Sequence, residues 1–242
     1  MPTARKRLPP GQHGAPPPAV RAQALVTAAR RIVDADGLEA LTMRRLADAL
    51  KLQLPAIYRV FTNKQTLLDE LAEAILAEAL PDGRGDHWTA EVALLAGQLR
   101  TALLAQRDGA RIVGGSYAAK RNTLTYADRF VGIMRQAGLD GTAALWATST
   151  VFCYVLGEAL EQQGQSADAL DRLDRNAARE TYPQLFATPV EEIVNFDERF
   201  EFGLGLILDG LRQRLHSAGP AEPGAGRARP APAPPRPGHR PS

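Results

Sequence analysis

The stretch that most constrains this chain runs from Leu41 to Leu71 and reads LTMRRLADALKLQLPAIYRVFTNKQTLLDEL. Met43, Leu46, Ala47 and Leu50 stand at i, i+3, i+4 and i+7, so one face of a short helix is apolar while Arg44, Arg45 and Asp48 lie off it. Lys51, Leu52 and Gln53 break that period. Pro55 then suits the first turn of a new helix, where its missing N–H is not needed. The pattern predicts a helix, a tight turn and a second helix over Leu54 to Phe61, anchored by Ile57 and Phe61 one turn apart. Ala56 and Arg59 are left facing outward, a small residue beside an arginine, which suits a groove. Thr62 and Gln65 have capping-box spacing, with Asn63 as the alternative cap, and the helix they open carries Leu67, Leu68, Leu71 and Ile75 inward. Lys64 is expected at that helix's N-terminus, a favourable place for a phosphate.

Charge is distributed to match. The chain's net charge is only +2, yet residues 1–21 carry four Lys or Arg and no acid, and residues 22–64 carry seven against four. Residues 65–216 reverse the balance, with fourteen basic against twenty-two acidic, and residues 217–242 carry four against one. A basic head on an acidic body is expected when one end docks on a polyanion and the other does something else.

Residues 1–19 hold Arg5, Lys6, Arg7 and a triple proline, with no apolar run long enough for a signal peptide or a membrane span. They are expected to be a disordered basic arm, lying along DNA or simply aiding solubility. Val20 to Ala35 places Leu25, Ala28, Ala29, Ile32 and Val33 on one helical face, and Gly37 closes it. This is the first helix of a head spanning residues 20–66, and its Arg30 and Arg31 are expected either on phosphates or in solvent. The body, residues 67–216, continues the helix from the head to about Ala79 and turns at Pro81, Gly83 and Gly85. Helices follow over about Thr89 to Ala105, Thr123 to Ala137, Ala143 to Gln163 and Phe196 to His216, with a polar loop over Gly164 to Arg179. No strand pattern of period two is present, so the expected fold class is all-α. The helices Ala143 to Gln163 and Phe196 to His216 are apolar on more than one face, and one monomer offers only one core. They predict a homodimer. Residues 217–242 form a low-complexity Pro, Ala and Arg tail that is expected to hold no structure.

The Leu41 to Leu71 run resembles the DNA-binding head of the TetR family of repressors, whose recurring pattern is a T-x-R-x-L-A-x-x-L helix, a turn, an aromatic-bearing recognition helix and N-K-x-x-L-L. Thr42, Arg44, Leu46, Ala47, Leu50, Tyr58, Phe61, Asn63, Lys64, Leu67 and Leu68 all match. One turn position departs: Lys51 stands where the family usually has a glycine at positive φ, at a cost of about 1 kcal/mol. The segment QRDGARIVGG, Gln106 to Gly115, is similar to its counterpart in the tetracycline-repressor subgroup. The resemblance implies a three-helix helix-turn-helix head and a four-helix bundle between two subunits, formed by the last two long helices. It also aligns Val113 with the subgroup's metal-binding histidine, and Leu80 and Leu95 with its other polar drug contacts, while Glu161 matches an acid near the pocket. A magnesium chelate is therefore not expected, and the pocket should be oilier.

The remaining chemistry is sparse. Cys153, the single cysteine, falls in a helix expected to be buried, which excludes an internal disulfide and favours a packing role and a cytoplasmic setting. The four histidines are scattered, no metal-ligand spacing or nucleophile-and-base pair stands out, and neither an enzyme nor a cofactor is expected. A mostly apolar ligand cavity is expected among Leu95, Leu99, Val113, Tyr117, Phe130, Met134 and Phe152, with Tyr154, Glu158 or Glu161 as polar handles. Each of these is equally at home in an ordinary core. On DNA, Arg59 is expected to donate to a guanine and Leu54, Pro55 and Ala56 to meet thymine methyls, with Thr42, Arg44, Arg45, Lys51, Tyr58 and Lys64 on the backbone. The expected function is a homodimeric transcriptional repressor on a palindromic operator, released by an apolar small molecule. Two alternatives stand beside it: a constitutive DNA-binding dimer without inducer, and a small-molecule-binding protein with degraded operator recognition.

Overall fold

The structure is a computed structural model that describes residues 18–166, 168–176 and 179–217. The expected arm falls almost wholly outside these residues, as does nearly all of the C-terminal tail. Ten α-helices and no strand are found among the described residues.

The head comprises α1 (Pro18–Asp36), α2 (Met43–Ala49) and α3 (Leu54–Tyr58). Leu25, Ala29, Ile32 and Val33 of α1 are buried against Met43, Leu46 and Ala47 of α2 and Ile57 of α3. Gly37 ends α1 with φ of 85° while its N–H bonds the Val33 carbonyl at 2.8 Å, a left-handed cap that favours glycine. Thr42 caps α2 by accepting from the Arg45 N–H at 3.1 Å. The turn after α2 puts Lys51 at φ of 54°, as its glycine-like position requires. There the Lys51 N–H bonds the Asp48 carbonyl at 3.1 Å and the Leu52 N–H reaches the Ala47 carbonyl at 2.9 Å, which closes the helix end. The recognition helix is shorter than expected: α3 stops at Tyr58, and the chain turns through Arg59 and Val60 so that Phe61 is buried beyond it.

The link from head to body is α4 (Lys64–Glu78). Its cap is Asn63 rather than Thr62: the Asn63 side chain accepts from the Thr66 N–H at 2.9 Å while the Thr66 hydroxyl accepts from the Asn63 N–H at 3.3 Å. The box is therefore one residue later than the Thr62 and Gln65 pair. Leu67, Leu71 and Ile75 are fully buried along α4, each contributing about 1.5–3 kcal/mol of apolar burial.

The body adds α5 (Trp88–Ala105), α6 (Gly109–Gly114), α7 (Arg121–Gln136), α8 (Gly141–Gly164), α9 (Ala169–Asn176) and α10 (Phe196–Ser217). The segment expected to be a polar loop over Gly164 to Arg179 thus contains α9, and short 3-10 turns lead on to α10. Ala144, Ala147, Val151, Val155 and Ala159 turn α8 inward, leaving Leu145, Trp146 and Leu160 exposed on its other face. Helix α10 runs antiparallel beside it, with Phe200, Leu204 and Leu208 inward and Phe202 and Leu206 exposed at 70% and 59%. By length and composition α8 is apolar enough to cross a bilayer. Here one face packs on α5 and α7, while the apolar strip it shares with α10 stays exposed.

Close contact between α8 and α10 depends on Gly203. The Tyr154 ring lies against it, stacked on Phe200 at a centroid distance of 5.8 Å, and the Tyr154 hydroxyl donates to the carbonyls of Arg199 and Phe200 at 3.0 and 2.9 Å.

Candidate DNA-binding surface and ligand cavity

The α2–turn–α3 unit presents Arg44, Lys51, Pro55, Tyr58 and Arg59 to solvent, with Leu54, Ala56 and Lys64 half-buried beside them. Arg44, Lys51, Arg59 and Lys64 make no ion pair among the described residues, so their charge is free for a polyanion. Two other arginines are held within the protein. Arg45 pairs with Asp36 at the end of α1, and Arg30 bonds Glu78 of α4 at 2.5 Å and Gln106 at 2.7 Å. The Glu78 hydrogen bond outweighs the effect of burial and raises the Arg30 pKa above its ordinary value.

Gln106 is the centre of a polar clasp between head and body. Only 1% exposed, it accepts from Arg30 Nε and donates to Asp34 Oδ1 at 2.5 Å. Around it Arg107 Nη1 donates to the Ala35 carbonyl at 2.9 Å, Asp108 accepts from the Leu38 N–H at 2.8 Å, and Arg111 pairs with Glu39 at 2.5 Å. Burial works against the Asp108 charge, but the Leu38 N–H and the Arg111 guanidinium outweigh it and hold that carboxyl below its ordinary range. Sequence spacing held no sign of this clasp, because its halves lie seventy or more positions apart.

A second tie joins α4 to the segment between α6 and α7 and to the first turn of α7. Asp69 accepts from the Ser116 hydroxyl at 2.8 Å, Glu70 pairs with Lys120 at 2.8 Å, and Glu73 accepts from the N–H groups of Asn122 and Thr123 at 2.5 and 3.1 Å. The same segment roofs a cavity of about 470 Å³. Its walls are mostly apolar, from Leu76 on α4, Val113 on α6, Val131 and Tyr126 on α7, and Phe152 and Leu156 on α8.

Of the expected ligand contacts, Val113, Tyr117 and Phe152 line this cavity. Leu95, Leu99, Phe130 and Met134 do not: each is fully buried in the core, where their helical spacing had equally allowed them. Tyr154, Glu158 and Glu161 also lie elsewhere, on the α8–α10 seam. There Arg199 pairs with Glu158 at 3.1 Å and Glu161 at 2.8 Å, and its hydrogen bond lowers the Glu161 pKa. Burial pushes the Tyr154 phenol up to about 12, so it remains a donor. Cys153 is exposed at the cavity rim rather than buried, since it falls on the outward face of α8. Val113 offers only methyl groups where the resemblance aligns a metal-binding histidine, and among the described residues no group of His, Cys, Asp and Glu is placed to hold a metal. These walls do not fit a metal chelate held by the protein.

Comparison with known proteins agrees with this layout. Residues 25–71 match the model of bacterial regulatory proteins of the tetR family, and residues 80–215 match that of the tetracyclin repressor-like C-terminal domain. The chain belongs to the TetR family. It is 37% identical over 202 residues to the tetracycline repressor protein class G of Vibrio anguillarum, covering 80% of this chain and 94% of that protein. Among solved structures, a possible TetR family transcriptional regulator from Streptomyces coelicolor is 41% identical with a TM-score of 0.73, over 80% of this chain and 99% of that one. The Streptomyces coelicolor protein ActR in complex with actinorhodin is 31% identical with a TM-score of 0.71, over 80% and 97%. TetR-family repressors bind operator DNA as dimers and respond to small-molecule ligands, and this chain is a DNA-binding transcription regulator of that kind.

Proposed function

We propose that the protein is a cytoplasmic, homodimeric, non-enzymatic repressor of a two-fold-symmetric operator, released when an uncharged, largely apolar small molecule enters the cavity between α4, α7 and α8. Helix α3 enters the major groove. Arg59 donates to a guanine edge, Leu54, Pro55 and Ala56 meet thymine methyls, and Arg44, Lys51, Tyr58 and Lys64 hold phosphates. Thr42 contributes chiefly by capping α2, and Arg45 by its pair with Asp36, so both position the unit rather than read it. The exposed apolar strip of α8 and α10 pairs with its copy in the second subunit.

The observation that carries the inducible reading is the position of α4. This helix holds the head at one end, forms a cavity wall through Ala72 and Leu76, and uses Asp69 and Glu73 to grip the cavity roof. A ligand that fits better when the roof is displaced draws α4 with it and changes the spacing of the two heads. The ActR complex with actinorhodin supports a ligand-occupied body in this fold.

The division of labour on DNA is tested with Arg59→Ala and Lys64→Ala across a range of salt. Arg59→Ala should narrow the gap between operator and random duplex. Lys64→Ala should weaken both alike and reduce the salt slope by about one unit. Equal losses on both duplexes from both variants would sink the assignment.

A further inference from the structure

We infer that the cavity recognises its ligand through the Thr148 hydroxyl, and that the ligand is an uncharged, flat, mostly apolar molecule bearing a carbonyl or hydroxyl oxygen opposite that group; this rests on the reading that the cavity is an inducer site. Thr148 stands on the inward face of α8, is 7% exposed and lines the cavity, yet its Oγ1 has no hydrogen-bond partner among the described residues. Other helical threonines behave differently. Thr27, Thr101, Thr125 and Thr150 each donate to the carbonyl four residues earlier, at 2.7–2.9 Å. Thr148 forgoes that bond, and a buried hydroxyl left unpaired is unfavourable until something in the cavity satisfies it.

The other polar side chains of the wall are either engaged or, like Ser149 and Tyr117, exposed to solvent. Ser116 bonds Asp69, Thr123 bonds Glu73, and the Tyr126 hydroxyl donates to the Leu95 carbonyl at 3.2 Å. No Lys, Arg, Asp, Glu or His lines the cavity, so a charged ligand would lose its hydration without a counter-charge. Tyr126 and Phe152 supply aromatic surface, and about 470 Å³ accommodates a molecule of two or three fused rings.

The test uses the full chain and a matched pair of probes, 9-fluorenone and fluorene, which share a tricyclic frame and differ by one carbonyl. Dissociation constants are measured for the wild type and Thr148→Val, a replacement of similar shape that removes only the hydroxyl. The wild type should bind fluorenone about three- to tenfold tighter than fluorene, the range of one neutral hydrogen bond. Thr148→Val should bring the two to parity with fluorene binding unchanged. The ligand-free variant should melt at the same temperature or higher, since an unpaired buried hydroxyl is gone. A preference for fluorenone that survives Thr148→Val, or a lower melting temperature in the ligand-free variant, would overturn the assignment while leaving an apolar inducer site intact. Failure of both probes to bind the wild type would overturn that inducer-site reading as well.

Discussion

Removing the Gln106 side chain should loosen the head from the body. In Gln106→Ala, Arg30 Nε and Asp34 Oδ1 each lose a charge-assisted hydrogen bond, at 2.7 and 2.5 Å, at a site that is 1% exposed. Such bonds contribute about 1.5–3 kcal/mol each when one side is charged. Part of that is recovered, because Arg30 keeps Glu78 and Asp34 still accepts from the Arg107 N–H at 3.2 Å. The backbone carbonyl of residue 106 also keeps its bond from Gln163 at 2.8 Å. A net loss of about 2–4 kcal/mol follows, or about 4–16 °C in melting temperature for a domain of this size. The assay is paired urea denaturation of wild type and variant at one protein concentration, with operator affinity measured on the same samples. Operator binding should weaken too, since heads held less firmly lose more freedom when they settle in successive grooves. A variant within about 0.5 kcal/mol of the wild type, the range of an ordinary surface substitution, would refute the clasp as a structural tie.

Two other perturbations reach different parts of the molecule. Gly203→Ala would drive a methyl into the Tyr154 hydroxyl and within 2.7 Å of its Cζ, where the ring is held by Phe200 and two carbonyls. The α8–α10 pair should splay at a cost of about 1–3 kcal/mol, and sedimentation equilibrium should show a weaker dimer; an unchanged dimer constant would contradict the packing. The depressed pKa of Asp108 gives stability present above the ordinary carboxylate range and lost as pH falls through it. Wild type should therefore lose stability relative to Asp108→Asn as pH drops from about 5 to about 3 in thermal scans, whereas parallel curves would exclude the linkage.

The head was legible because its signals are local. Helical period, Pro55 and the matched T-x-R-x-L-A-x-x-L run place α2 and α3, and the glycine-like position of Lys51 is met by its φ of 54°. The ends were less so: Asn63 outcompeted Thr62 as cap because Thr66 answered it, and α3 stopped early so that Phe61 reaches the core. In the body, periodicity identifies apolar faces but not what they face. Leu95, Leu99, Phe130 and Met134 point into core, while Val113 and Phe152 point into space, and that difference is set by how five helices meet. The long-range polar ties of Gln106, Glu73 and Arg199 were invisible for the same reason, each joining residues distant in sequence.

The central claim is sequence-specific recognition by a two-fold dimer, and selection of bound duplexes from a random pool by the purified full chain tests it most directly. A palindromic winner, with half-sites about one helical turn apart and bound at least about a thousandfold tighter than random duplex, is the expected result. Failure to enrich any sequence, with an affinity that only decays as salt rises, would contradict it.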